Sequence, residues 1–182
     1  MRENPSNDLV FVAIGGNLPA EGRDGLRPTL EAGVAALSEI GCTIIGRSSW
    51  WCSPAWPPPG PGESRQPDYL NAVVALHTNL GPDELLQALH GIEAAFGRSR
   101  LGRWDARPLD LDLIDYAGRV QMDGEAGRAV LPHPRMAGRL FVLLPLRELA
   151  PDWHHPRSGL AIERLIAAAE PMKINRLGAA SS

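Results

Sequence analysis

The chain has 182 residues, 44% of them hydrophobic and 21% charged, with a formal net charge of −3. That length suits one domain with a sizeable core, and the acidic balance (pI about 5.9) argues against a general nucleic-acid binder. Cys42 and Cys52 make no disulfide framework, no apolar run reaches the roughly 18 residues of a membrane span, and the polar stretch from Met1 to Asp8 lacks a signal-peptide core, so a cytoplasmic protein is expected.

Leu9 to Ile14 is a short, β-branched apolar run that reads as a buried strand breaking into a turn at Gly15-Gly16-Asn17. Pro28 to Ile40 reads as a helix: Leu30, Val34, Leu37 and Ile40 recur at helical steps, and Gly41 suits the stop. Thr43 to Trp51 reads as a second strand. Ser53 to Asp68, with six prolines and two glycines, is a long loop of the kind that is functional or disordered. Tyr69 to Thr78 reads as a third strand. Pro82 to Phe96 reads as a helix, with Pro82 at its start, Asp83 and Glu84 in the first turn, and Leu85, Leu86, Leu89, Ile92 and Phe96 on one face.

Gly97 to Pro108 is an arginine-rich loop, and Leu109 to Tyr116 a fourth strand ending in a turn at Ala117-Gly118. Arg119 to Val130 is expected to hold a short hairpin, Pro134 to Leu149 helical pieces interrupted by Pro145, and Leu160 to Ala169 a last helix. The expected organisation is a single domain over 1–182, with its core at 9–170 and loose termini at 1–8 and 171–182. Helices mixed with strands on short connections suggest an α+β sandwich with a largely antiparallel sheet.

The sharpest chemical signal is Leu109-Asp110-Leu111-Asp112-Leu113. In a strand, alternate side chains share a face, so Asp110 and Asp112 point one way and the three leucines the other, into the core. Two close carboxylates repel unless a cation sits between them, and hard oxygens on a strand suit Mg²⁺ with substrate phosphates. Taken alone, the pair also fits an exposed edge strand with an acidic face. Just upstream stand Arg98, Arg100, Arg103 and Arg107 around Trp104. Guanidiniums bind phosphate in a planar, often bidentate way, so carboxylates and arginines together are what a triphosphate needs. No GxxxxGK[ST] loop is present, so side chains and metal would hold ATP. His133, in a turn between Pro132 and Pro134, is a candidate phosphate or nucleotide contact. Tyr69 and Asn71 are two apart on one strand face, which fits a flat, hydrogen-bonding heterocycle, although from spacing alone a core tyrosine with the asparagine in a turn fits better.

With these blocks in order, the chain resembles the 6-hydroxymethyl-7,8-dihydropterin pyrophosphokinases of folate biosynthesis. The resemblance runs from Val10 to about Pro156 through AIGGNL (Ala13 to Leu18), QPDYLNAVVAL (Gln66 to Leu76), IEAAFGRSR (Ile92 to Arg100), RWDARPLDLDLI (Arg103 to Ile114) and LPHPRMAGRLFVLLPL (Leu131 to Leu146). It implies transfer of pyrophosphate from ATP to the pterin hydroxymethyl group with release of AMP. It also implies an elaborated ferredoxin-like, three-layer α/β/α fold. Asp110 and Asp112 would hold two Mg²⁺ ions, Asp110 also lying against the pterin. Arg98 and Arg107 would grip phosphates, with Arg103 and Trp104 on a loop closing over them. Glu93, Arg100, Leu113, His133 and Arg139 would complete the ATP site. Tyr69 and Phe141 would sandwich the pterin, Asn71 would read its edge, and Ser53, Pro54, Ala55 and Trp56 would line its loop.

The partners implied are small-molecule substrates, with no nucleic acid and no membrane, and a monomer is expected. Ala55, Trp56, His90, Asp105, Ala106 and Pro134, and an insertion from Pro57 to Ser64, depart from the family's commonest pattern. None of them removes a metal ligand or a phosphate arginine. A metal-dependent phosphohydrolase would share the carboxylates and arginines, but no base or histidine cluster for it stands out.

Overall fold

The computed structural model describes residues 8–55, 66–97, 107–122 and 127–178. Six strands and four helices follow one another: β1 (Val10–Gly16), α1 (Leu26–Glu39), β2 (Thr43–Arg47), β3 (Trp51–Ser53), β4 (Tyr69–His77), α2 (Pro82–Ala95), β5 (Asp110–Tyr116), α3 (Leu140–Leu149), α4 (Ile162–Ala168) and β6 (Asn175–Arg176), with a 3₁₀ turn at Met136–Gly138 before α3. The strands form one sheet in the order β5-β1-β4-β3-β6, with β2 also paired to β4, and every ladder is antiparallel. The α+β class and the helices on both faces are as expected.

Strand alternation builds two cores. Val10, Val12 and Ile14 of β1, with Ala72, Val74 and Leu76 of β4 and Leu111 and Leu113 of β5, face α1 and α2, where they meet Leu30, Leu37, Leu85, Leu89 and Ile92. Phe11, Val73, Ala75 and Ile114 face the other way and meet Val142, Leu143 and Leu146 of α3 and Ile162 and Leu165 of α4. Burying each such side chain contributes about 1.5–3 kcal/mol.

Four local expectations are corrected. The first strand does not stop before its glycines: β1 runs through Gly15 and Gly16, which pair with Asn71 and Leu70. The second predicted strand is two. β2 lies opposite the far half of β4 and β3 opposite its start. At the break the Ser48 N–H donates to the Val73 carbonyl (2.9 Å) and the Ser48 Oγ accepts the Val73 N–H (3.0 Å), a side chain replacing one rung of the ladder. Pro145 does not interrupt α3. Losing one helical bond costs about 3 kcal/mol, which burial of Val142, Leu143, Pro145 and Leu146 outweighs.

The fourth concerns the tail, which is not loose throughout. β6 pairs with β3, the Leu177 N–H donates to the Trp50 carbonyl at 2.8 Å, and Arg176 meets both Ser49 and Glu148. Glu148, on α3, also accepts from the Trp51 indole at 2.7 Å. The tail, β3 and α3 are thus tied at one corner. The other helices and strands stand close to where periodicity and turn chemistry place them, whereas the hairpin expected over Arg119 to Val130 shows, among the described residues, a single bridge between Gln121 and Leu131. Gly41 ends α1 at φ 84°, and Glu84 closes the start of α2 by accepting the Gly81 N–H at 2.8 Å.

Candidate active site

Register brings the site together. Gly15 on the central strand β1 lies opposite Asn71 of β4 on one side and Asp110 of β5 on the other. Asp112 follows opposite Ala13. By strand parity Tyr69, Asn71, Gly15, Asp110 and Asp112 all face the α3 side of the sheet. Glycine leaves a hollow in the middle of this row: a Cβ at Gly15 would stand 2.9 Å from the Asn71 Oδ1. Asn71 is 7% exposed, and its Nδ2 donates to the Ser53 Oγ at 3.0 Å, which orients the amide so that its carbonyl oxygen faces the hollow. An acceptor held in that way selects a ligand edge bearing N–H groups.

The carboxylates are each engaged by a guanidinium. Arg107 donates to Asp110 at 3.1 Å and Arg139 to Asp112 at 3.2 Å. The aspartate side chains remain 30% and 32% exposed, open to a ligand. Burial by itself would lower the Arg107 pKa, but Asp110, Tyr69 and Glu93 together more than offset it and leave it raised. Arg107 also hydrogen-bonds the Tyr69 hydroxyl, linking a cation to the ring of the row.

Arg139 lies over the Phe141 ring, 5.5 Å from its centroid. Phe141 stands in the first turn of α3, which packs on β4, so this ring and Tyr69 stand on the same side of the sheet. His133 is held by its own N–H on the Ile114 carbonyl (2.9 Å), and its Nδ1 accepts the Arg135 N–H (3.2 Å). That acceptance assigns the remaining proton to Nε2, which lies 3.8 Å from Asp112, beyond direct hydrogen bonding. Burial pushes the imidazole below its ordinary value despite the pull of Asp112, so it is a neutral N–H donor near pH 7.

Glu93 sits behind the strand rather than in front of it. It is 2% exposed, and its Oε1 accepts the Leu111 N–H at 2.8 Å, covering the outer edge of β5 between the two aspartates. Leu113 is 4% exposed in the core shared with α1 and α2, so its side chain points away from the carboxylate face. Pro54 and Ala55 follow β3 beside this row, both partly buried. Arg98, Arg100, Arg103, Trp104 and Trp56 lie outside the described residues, as do Asp105 and Ala106. His90 and Pro134 are exposed. Among the described residues no cluster of three or more His, Cys, Asp or Glu forms a ready-made metal cage. Two hard carboxylates on one open face, with room for phosphate oxygens, nonetheless fit Mg²⁺, which rarely uses an all-protein cage.

Sequence reasoning missed three residues here. Gly15 forms the hollow. Gly16 lets the chain at Pro108 lie against β1, since a Cβ there would meet the Pro108 carbonyl oxygen at 2.3 Å. Asn17 is 2% exposed and grips both flanking segments. The signals were the Gly-Gly-Asn triplet, which reads equally well as a turn, and its place in the AIGGNL block, which assigned these residues no role.

The family model described as 7,8-dihydro-6-hydroxymethylpterin-pyrophosphokinase (HPPK) matches residues 11–151, a span that contains every residue of this site. The chain belongs to the HPPK family. A Synechocystis sp. protein named 2-amino-4-hydroxy-6-hydroxymethyldihydropteridine pyrophosphokinase is 46% identical over 158 residues, covering 86% of this chain and 74% of the relative. A Pseudomonas aeruginosa protein of the same name is 39% identical over 168 residues, 92% and 96% of the two chains.

A solved Plasmodium falciparum HPPK-DHPS structure superposes with a TM-score of 0.62 at 12% identity, covering 88% of this chain. That likeness shows the fold, and the chain spans 44% of the length of that longer protein. As an HPPK the chain is a pterin pyrophosphokinase of folate biosynthesis, and its relatives carry a transferase's name, not a hydrolase's. No helix among the described residues is long and apolar enough to cross a membrane.

Proposed function

We propose that the face bearing Asp110 and Asp112 carries out pyrophosphoryl transfer from Mg²⁺-bound ATP to the hydroxymethyl group of 6-hydroxymethyl-7,8-dihydropterin, releasing AMP. The observation that supports this most is the row Asn71–Gly15–Asp110, which sets a ring-reading amide and a hard carboxylate on either side of one hollow. The pterin lies over Gly15 with its N–H edge toward the Asn71 oxygen, between the rings of Tyr69 and Phe141. Its hydroxymethyl group then points toward the carboxylates. Ser53, Pro54 and Ala55 line the outer side of this pocket, and the family resemblance gives Trp56, outside the described residues, to the same loop.

The hydroxymethyl oxygen attacks the β-phosphorus and its proton passes to solvent, the bond from that phosphorus to the oxygen shared with the α-phosphate breaks, and AMP leaves with the bridging oxygen. Asp110 and Asp112 would hold Mg²⁺, as two ions, and the metal would supply Lewis-acid neutralisation of charge on the phosphate oxygens. Arg107 and Arg139, pre-placed beside the carboxylates, turn to phosphate oxygens when the triphosphate arrives. The family resemblance gives Arg98, Arg100, Arg103 and Trp104, outside the described residues, a role toward ATP. His133 donates from Nε2 to the nucleotide. Glu93 keeps β5 straight behind the metal face through Leu111, and Leu113 contributes to the ATP site through its backbone alone. The protein acts as a cytoplasmic monomer on these small molecules.

The test is a product assay with ATP, Mg²⁺ and the pterin that resolves AMP from ADP and inorganic phosphate. AMP formed only with pterin and only with Mg²⁺ is expected. ADP or free phosphate without the pterin would overturn the proposal in favour of a hydrolase.

A further inference from the structure

Asn17 lies just past β1 and outside every role assigned above, yet it is nearly fully buried and its side-chain amide is bonded at both ends. Its N–H donates to the Arg107 carbonyl at 3.0 Å, and its Oδ1 accepts the Arg107 N–H at 2.9 Å. These reciprocal bonds clamp the backbone of one residue. From the other end of the same amide, Nδ2 donates to the Pro67 carbonyl at 3.3 Å and to the Gln66 Oε1 at 3.4 Å. Gly16 makes the clamp possible, because any Cβ there would strike the Pro108 carbonyl.

One side chain therefore joins two segments that are about 40 residues apart in sequence and stand on opposite sides of the chemistry. Pro67 leads within two residues to Tyr69, the ring side. Arg107 pairs with Asp110 and reaches the Tyr69 hydroxyl, the phosphate side.

We propose that Asn17 is a positioning residue that sets the acceptor side of the site in register with the donor side. It touches neither substrate. It fixes where Arg107 and the approach to Tyr69 stand relative to each other, so its loss separates the reacting groups more than it weakens either binding site. This rests on the site's being that of an ATP–pterin pyrophosphokinase. A displacement of about 1 Å between reacting groups costs about 100-fold in rate, whereas one lost neutral hydrogen bond changes an affinity by about fivefold.

The test compares Asn17→Ala, Asn17→Ser and Gln66→Ala with the wild-type full chain. Steady-state kinetics are measured in both substrates, titrations with pterin alone and with a non-hydrolysable ATP analogue alone, and thermal melts. Asn17→Ser leaves a smaller cavity than alanine and keeps a polar group, so a folded variant is available if alanine collapses it. The expected result is a fall in kcat of about 100-fold for the folded Asn17 variants with each separate Kd within about tenfold, and a smaller fall in the same direction for Gln66→Ala. A merely structural role would lower the melting temperature and leave kcat per folded molecule unchanged. Folded Asn17 variants with kcat within about twofold of wild type would overturn the proposal, as would a loss confined to one substrate's Kd. Wild-type chain that forms no AMP from ATP and pterin would instead remove the reading on which it rests, and the proposal with it.

Discussion

Asp110 and Asp112 are equivalent in sequence spacing but not in surroundings. Asp110 borders the hollow over Gly15 and meets Arg107, whereas Asp112 lies one pleat further, between Arg139 and His133. Replacing either with alanine is expected to cut turnover by at least about 100-fold while the melting temperature stays near wild type, because both carboxylates stand outside the cores. An active, Mg²⁺-dependent Asp112→Ala enzyme would contradict the metal assignment.

Asp115, three residues on, behaves differently. The bulge that sets Phe11 opposite Asp115 but Val12 opposite Leu113 turns this carboxylate onto the Phe11 face, where it is 2% exposed. Its Oδ2 accepts from the Trp153 indole at 2.8 Å and its Oδ1 from the Gly118 N–H at 3.1 Å. Burial lifts its pKa above the ordinary carboxylate range, more than these donors pull it down. The folded state therefore binds the proton more tightly than the unfolded chain. Its share of stability is fully present below the unfolded value of about 3.9 and is lost as pH rises through the raised folded value.

Asp115→Asn removes that titration and sets an N–H against an N–H, at a cost of about 1–3 kcal/mol. Urea unfolding between pH 4 and 7 should show the wild-type advantage shrinking as pH rises. An advantage that grows with pH would contradict this.

At the scale of elements, the end of β1 carries the most consequence per residue. Gly15 and Gly16 face opposite sides of the sheet, and what a methyl group would strike differs. At Gly15 it is the end of the Asn71 side chain, which can move. At Gly16 it is the backbone of Pro108, which cannot move without the chain. Gly15→Ala is thus expected to raise the pterin KM about tenfold, by displacing the amide that reads the ring, with little change in melting temperature. Gly16→Ala is expected to destabilise the fold by about 1–3 kcal/mol. Thermal melts and pterin titrations on the two variants separate these outcomes, and equal destabilisation by both would count against the assigned geometry. β3 and β2 show the same dependence on neighbours. Their periodicity is that of one strand, and only pairing to β4 at two separate places, with Ser48 bridging the break, divides them.

Across the whole molecule, the two cores hold the sheet from both faces, and the site occupies the end of one face where side chains become small and polar. The tail contributes from a distance: β6 pairs with β3, β3 carries Ser53, and Ser53 orients Asn71. Removing residues 175–182 is expected to lower stability by about 1–2 kcal/mol and to raise the pterin KM more than the ATP KM. A truncated chain with unchanged pterin affinity would show that β3 keeps its place without the tail.

Much of this was legible in the residues themselves. The alternation Leu-Asp-Leu-Asp-Leu is a local property with a period of two, so it assigns core and site faces of β5 without any knowledge of its neighbours. The helical faces of α1 and α2 and the glycine stop at Gly41 are local in the same way, and the ordered blocks of residues carry the family. Tertiary structure alone decided which rows meet. Register between strands distant in sequence places Gly15 between Asn71 and Asp110, buries Asn17 between two segments about 40 residues apart, and turns the tail into an edge strand. Such pairings depend on the joint packing of both cores, and no window of the chain contains both partners.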